Sequence, residues 1–431
     1  MTPSFRLLAR RNFLPLFVTQ FLNAFNDNLY KTAMVMLVTY AIYADPTKEA
    51  VFNAVAAGIF ILPFFLFSAL SGQLADWRDK AGIIRLVKTA EIVIMCVGGL
   101  GLVVHSIPLM LVALFAMGVH STFFGPIKYA ILPQHLKPDE VLPGTGLVEA
   151  TTYIAILVGT IVGGALQGMI NDGHLPSWTM ALLVIAMAVI GRFTGGMVPP
   201  APPEVPNQLI DLHVIRSSIR LVSATMHIRR LFLAIIAISF FWAIGAVLAA
   251  QFPPLVKNVL SADEGVATAM LAVFSVGVAL GSVAINRMLG GKVSARFAPG
   301  AAIVMGLFVL DLYHSVKYWP ASESSSLLTL SEFLKIHRAD RLTFDLFGIA
   351  VAGGMFVVPL YAFLTTTVPK SQTARTVAAN NIVNSGAMTL AAILLAILLH
   401  FGVSVADTLL MVALATLGAA WLAWRLHKAC D

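Results

Sequence analysis

Charge is scarce in this sequence. Only 11% of its 431 residues are Asp, Glu, Lys or Arg, against roughly 25% in a soluble domain. A water-exposed globular fold is therefore excluded. Cysteine is scarcer still. Cys96 lies in an apolar run and Cys430 at the far C-terminal end, so neither a disulfide framework nor a metal site follows from them. Catalytic signatures are missing too. There is no Gly-x-Ser-x-Gly, no His-Glu-x-x-His and no His-x4-Asp. His135 meets Glu140 at the fifth position, and His337-Arg-Ala-Asp340 is too closely spaced for an acyltransferase pair. No Gly-rich phosphate loop appears. The chain is expected not to be an enzyme and to need no cofactor and no metal. A net charge of +7 does not argue for nucleic acid, because the basic residues concentrate in short loops.

What the sequence has in abundance is apolar length. Hydrophobic residues make up 58% of it, and the mean hydropathy is +0.87. About 20 apolar residues suffice to cross a bilayer. Twelve candidate spans can be drawn, at 13–42, 50–75, 82–104, 107–131, 143–170, 178–198, 231–256, 265–289, 297–318, 343–367, 376–400 and 403–424. The fold class expected is an all-α integral membrane protein. The basic N-terminal segment precedes an apolar run too long for a signal peptide, so it reads as a retained first helix. Arg10, Arg11, Arg78, Lys80, Lys88, Arg192, Arg230, Arg296 and Lys428 fall among the segments on one side, while the other side holds only Lys48, Lys257, Lys317, Lys335, Arg338 and Arg341. Such asymmetry predicts that both termini are cytoplasmic. Within the loop carrying the last four of these, 327–336 reads either as a short interfacial helix or as a solvated loop.

The chain order suggests an N-terminal six-helix half at 1–198, a cytoplasmic linker at 199–230 and a C-terminal six-helix half at 231–431. Pro199-Pro-Ala-Pro-Pro-Glu-Val-Pro206 is stiff and helix-breaking. Behind it, 209–230 is a basic amphipathic segment that suits the inner membrane surface.

One polar interruption stands out in the first span. Gln20, Asn23, Asn26, Asp27, Asn28 and Lys31 sit where lipid-facing residues would be apolar. An ionisable group at mid-bilayer costs about 2.5–3.5 kcal/mol on insertion scales. Asn23, Asp27 and Lys31 stand at i, i+4 and i+8, forming one stripe. It either joins helices through an Asp27–Lys31 pair or lines a substrate path. The two halves align as internal repeats: Arg10-Arg11-x-Phe13 matches Arg229-Arg230-x-Phe232, and Pro126 matches Pro359. In that register Asn26, Asp27 and Asn28 face Gly245, Ala246 and Val247, so the scaffold does not demand the polar stripe. Phe240, Phe241 and Trp242 then belong either to an apolar cavity wall or to bundle packing. Lys128, near Pro126, either snorkels to the membrane surface or attracts a phosphate. Glu149 needs a partner or water, and Asn380, Asn381 and Asn384 open the eleventh span.

Between the second and third spans runs Gly72-Gln-Leu-Ala-Asp76-Trp-Arg78-Asp79-Lys80. It resembles the helix 2–3 signature of the major facilitator superfamily, with Trp77 and Asp79 departing from the pattern. Gating is expected from Gly72, Asp76, Arg78 and Lys80: Gly72 for close helix approach, and Asp76 to meet a helix N-terminus or a basic partner. Its counterpart, Gly281-Ser-Val-Ala-Ile-Asn286-Arg287, keeps the small residues.

Together with Phe124-Gly-Pro-Ile-Lys128-Tyr, Glu149-Ala150, Val357-Val-Pro-Leu360 and Ala379-Asn-Asn, these motifs resemble the bacterial lysophospholipid transporters within the major facilitator superfamily, over nearly the whole chain. The resemblance implies a flippase in the bacterial cytoplasmic (inner) membrane. It would move lysophosphatidylethanolamine and lysophosphatidylglycerol from the outer to the inner leaflet by alternating access. It also implies a functional link to an acyltransferase/acyl-carrier-protein synthetase in phospholipid remodelling. With the sequence ending at Asp431, that enzyme is expected as a separate protein and the transporter as a monomer among membrane lipids. The substrate-binding set expected is Gln20, Asn23, Asn26, Asp27, Lys31, Lys128, Glu149, Trp242, Asn381 and Asn384. Some family members carry a basic residue about where Ala249 stands, so a head-group scheme needing that cation does not carry over. The competing reading on the same fold is a proton-coupled antiporter for drugs or small solutes, with Asp27 or Glu149 as the carrier.

Overall fold

In the computed structural model, residues 7–203, 213–289, 294–319, 326–367 and 370–430 are described. Among them stand twelve helices of 19 residues or more and no strand. In chain order they are α1 (Leu14–Leu37), α2 (Pro46–Trp77), α3 (Lys80–Val103), α4 (Ile107–Ala130), α5 (Pro138–Asn171), α6 (Trp178–Gly196), α7 (Arg229–Asn258), α8 (Glu264–Leu289), α9 (Ala298–Lys317), α10 (Ala339–Thr366), α11 (Lys370–His400) and α12 (Val405–Cys430). Eleven are long and apolar enough to cross a membrane. The exception is α1, whose amides, Asp27 and Lys31 dilute its hydropathy. Proline lies inside α2, α4, α7 and α10, which membrane bundles tolerate because neighbours satisfy the freed backbone groups.

Contacts divide the chain into two compact units: Met1–Leu37 with Leu66–Ser217, and Val38–Phe65 with Ser218–Asp431. The division differs from simple chain order in one respect. The segment 38–65, comprising the end of the first span and the start of α2, groups with the later helices. At that point α1 gives way to a π-helix, Val38–Ile42.

Within the first unit, α1 packs mainly on α5 and α6, and α3 on α4 and α6. In the second unit α7 packs on α11 and α12, and α9 on α10 and α12. These pairings correspond helix for helix, so the six-helix repeat read from sequence is present in the packing. The first core gathers Phe13, Leu16, Ile84, Phe124 and Ile127, and the second Ile235, Phe241, Phe356, Leu360 and Leu426. Glycine sets the closest crossing in each. A Cβ on Gly159 of α5 would fall 2.5 Å from the Phe25 carbonyl of α1, and one on Gly281 of α8 2.0 Å from the Val351 carbonyl of α10.

Gly72 does not serve that purpose. A Cβ there would meet no atom within 4 Å, so the expected close approach is not found. The helix N-terminus is met by Asp79, where Asp76 had been a candidate. The Asp79 carboxylate accepts from the Gly82 N–H at 2.9 Å and the Ala201 N–H at 2.7 Å, capping α3 and tying it to the linker. Asp76's side chain lies outside the described residues. Arg78 lies over the Trp77 ring at 4.0 Å, and Lys80 is buried.

The linker helix spans Val214–Met226, with Ile215, Ile219, Arg216 and Arg220 exposed. Within 327–336 only Leu330–Phe333 is helical. A capping box closes it: the Thr329 N–H donates to Glu332 at 2.8 Å. That bond and one from the Thr329 hydroxyl hold the Glu332 carboxyl below its ordinary pKa. Phe333 is buried and stacks on Trp319 at 5.7 Å, so the segment is anchored by packing.

Candidate functional site

The polar residues of α1 do not stand alone. Asn23, Asn26 and Asp27 are 5%, 0% and 6% exposed, all inside the first unit. Four residues from α3 and α4 join them: Lys88, Glu91, His120 and Ser121. Lys88 donates to the Asn23 amide oxygen at 3.0 Å and is ion-paired with Glu91. Asn26 donates to Glu91 at 3.0 Å and to the Val184 carbonyl of α6 at 3.2 Å. Asn23 donates in turn to Asp27 Oδ2 at 3.3 Å, and the Ser121 hydroxyl donates to the same oxygen. His120 Nε2 lies 3.5 Å from Glu91, and its Nδ1 3.5 Å from Ser121 Oγ. Asp27 Oδ1 is buried without a hydrogen-bond partner.

This network corrects the sequence reading at one residue. Lys88 is not a cytoplasmic loop cation; it is wholly buried on α3. A lone buried ammonium would cost several kcal/mol, and Glu91 one turn later offsets it. The signal was present: Lys88 and Glu91 stand at i and i+3 in an otherwise apolar run. Periodicity cannot show which neighbour such a pair faces.

Around this centre the other expected residues fall out separately. Gln20 is buried and donates to Thr152 of α5 at 2.7 Å. Lys31 is half-buried one turn beyond Asp27. Lys128 is half-buried in the last turn of α4. The side chain of Glu149 lies outside the described residues.

The second unit holds a neutral counterpart. Ser239 of α7 donates to the Asn384 amide oxygen of α11 at 2.7 Å. Asn384 and the Trp242 indole N–H both donate to the Tyr361 hydroxyl of α10, at 3.4 and 2.8 Å. Trp242 and Asn384 were expected; Tyr361, which links them, was not. Asn381 is exposed, one residue after the fully buried Asn380. Phe241 packs in the core against Phe356, whereas Phe240 and Trp242 are half-buried at its edge.

Residues 16–391 match the model of the Major Facilitator Superfamily. The chain belongs to the major facilitator superfamily. As a member it is a multi-pass membrane transporter, with the twelve helices and paired six-helix units described above. Among solved structures of the superfamily, it is similar to a bacterial homolog of the human lysosomal transporter Spinster, with a TM-score of 0.68 at 13% identity, over 99% of this chain and 98% of that one. A POT family transporter in complex with 5-aminolevulinic acid matches with a TM-score of 0.71 at 11% identity, over 97% and 96%. Those two likenesses concern the fold. In sequence the chain is similar to the lysophospholipid transporter LplT of Pectobacterium carotovorum subsp. carotovorum, 26% identical over 92% of this chain and 89% of the relative. The LplT of Citrobacter koseri is 27% identical, over 88% and 86%.

Proposed function

We propose that this chain is a lysophospholipid transporter of the bacterial cytoplasmic membrane, with both termini cytoplasmic. In this reading it moves lysophosphatidylethanolamine and lysophosphatidylglycerol from the outer to the inner leaflet by alternating access. An acyltransferase/acyl-carrier-protein synthetase then re-acylates them. The likeness to relatives named LplT over about nine-tenths of the chain supports the substrate class.

One observation carries the site assignment. The buried carboxylate of Asp27 keeps one oxygen, Oδ1, without a hydrogen-bond partner, while its other oxygen accepts from Asn23 and Ser121. An ethanolamine ammonium is a donor that completes it, through a charge-assisted hydrogen bond. Since Asp27 is 6% exposed, cargo reaches it in a conformation that parts α1 from Ser121. Gln20, Asn23, Asn26 and Lys31 set the register of that wall. Lys128 serves the phosphate as a point charge, with Glu149 nearby in sequence on α5. Trp242, Asn381 and Asn384 supply neutral contacts. Gly72, Asp76, Arg78 and Lys80 act in gating at the cytoplasmic end.

The test is reconstitution into liposomes carrying fluorescent lysophospholipid in the outer leaflet, with and without a proton gradient. Protein-dependent inward movement is the expected result; none with either head group overturns the reading. A second reading is a proton-coupled antiporter, favoured by four buried titratable groups, Asp27, Lys88, Glu91 and His120, in one cluster. Loss of transport when a protonophore collapses the gradient would support it; indifference would support a facilitated flippase.

A further inference from the structure

At the far end of the first span the second unit contains a charge pair that neither head-group binding nor the α2–α3 motif uses. Glu49, in the first turn of α2, is fully buried. Both its carboxylate oxygens are engaged: Oε1 accepts from Lys257 Nζ at 2.5 Å, and Oε2 from the Asn258 amide at 2.6 Å. Lys257 was expected as a loop cation, yet it closes the last turn of α7 with its charge largely enclosed. Its ammonium has three protons and three acceptors. Besides Glu49 these are the carbonyls of Thr39 at 2.5 Å and Tyr43 at 3.0 Å.

Those two carbonyls belong to and follow the π-helix that ends the first span. A helix C-terminus leaves carbonyls unsatisfied and carries partial negative charge. Lys257 therefore caps the first span while neutralising the acid at the start of the second. Tyr40 adds to the same junction, its hydroxyl donating to the carbonyls of Pro253 at 3.4 Å and Asp263 at 3.3 Å. Its ring lies 5.9 Å from Lys257 Nζ. These groups lie within 38–65, at the end of α7 and just before α8, and 38–65 is the segment that leaves chain order to join the second unit.

We propose that Glu49, Lys257 and Asn258 form a reversible latch that holds the hairpin of residues 38–65 on the end of α7, with the π-helix Val38–Ile42 as its hinge. Two features make it reversible. Both charges regain water when the hairpin leaves, so opening exposes them instead of stranding one alone in the protein. The π-turn sits where α1 passes from one unit to the other, and such turns recur at functional sites. The latch serves alternating access whatever the cargo, so it goes beyond the lysophospholipid reading.

The experiment uses the full chain in nanodiscs, with Cys96→Ser and Cys430→Ser and spin labels at Thr47 and Lys335, both exposed in the second unit. Pulsed electron spin resonance then reports whether the hairpin stays on the later helices. The native pair is expected to give one dominant distance. Lys257→Met should raise the share of longer distances about ten-fold or more, the scale of a lost charge-assisted hydrogen bond, whereas Lys257→Arg keeps the native distribution. Should Lys257→Met fail to fold, Asn258→Ala removes one neutral donor and should shift the distribution the same way by a few-fold. A native distribution in the folded variant, even with a lower melting temperature, overturns the latch and leaves a structural ion pair.

Discussion

Lys88 on α3 donates to the amide oxygen of Asn23 on α1 at 3.0 Å, one helix turn before Asp27. That bond joins two charge features which lie 65 residues apart in sequence. It makes the rotamer of the α1 stripe depend on a wholly buried ion pair. Removing one partner would strand the other, at a cost of about 3–5 kcal/mol. Lys88→Ala or Glu91→Ala should therefore lower abundance and melting temperature sharply. The double change Lys88→Met with Glu91→Leu should recover most of the stability, because no charge is left unpaired, while transport stays impaired. Melting curves in detergent beside liposome uptake would separate the two effects.

Asp27→Asn tests the recognition role. The amide keeps the shape and loses the charge that an ammonium needs. At equal abundance, lysophosphatidylethanolamine uptake should fall about ten-fold or more, the scale of a charge-assisted hydrogen bond. Lysophosphatidylglycerol, which has no ammonium, should lose less. Equal losses for both would assign Asp27 to structure alone.

Ser121→Ala leaves Asp27 Oδ2 with Asn23 as its hydrogen-bond donor. A buried acceptor deprived of a donor costs about 1–3 kcal/mol. The variant should fold with a lower melting temperature and with head-group selectivity altered in the same sense as Asp27→Asn.

Two glycines predict opposite outcomes. Gly159→Ala drives a methyl to 2.5 Å from the Phe25 carbonyl, so α1 and α5 must move apart. Overpacking of this kind costs about 1–3 kcal/mol, read as reduced yield of folded protein. Gly72→Ala meets no atom within 4 Å and should be accepted in folding assays. A transport defect in a well-folded Gly72→Ala would show that close approach there belongs to another conformation.

Asp79→Ala removes the side-chain cap of α3 and its bond to the Ala201 N–H. The loss should be about 0.5–2 kcal/mol, seen as a modest fall in melting temperature. Proteolysis of the linker after Ala201 should become faster, since one of the ties that fix its first residues is gone while the Lys80 N–H still donates to the Ala201 carbonyl.

Hydropathy and length determined the membrane class and the spans, and matched motifs such as Arg10-Arg11-x-Phe13 and Arg229-Arg230-x-Phe232 their repetition, because each span must satisfy its own backbone within a bilayer and so announces itself locally. The polar stripe on the first span was legible for the same reason: a carboxylate and amides in an apolar run cannot be ordinary. What the chain order could not decide was the company those residues keep. Lys88 looked like a loop cation and Lys257 like an outer one, since counting charges near span ends says nothing about rotation around a helix axis. Tertiary packing turned Lys88 inward to meet Glu91 and Asn23, and brought Lys257 to the carbonyls that end the first span. Those choices rest on which helix faces meet, a property of pairs of helices that no single run of sequence contains.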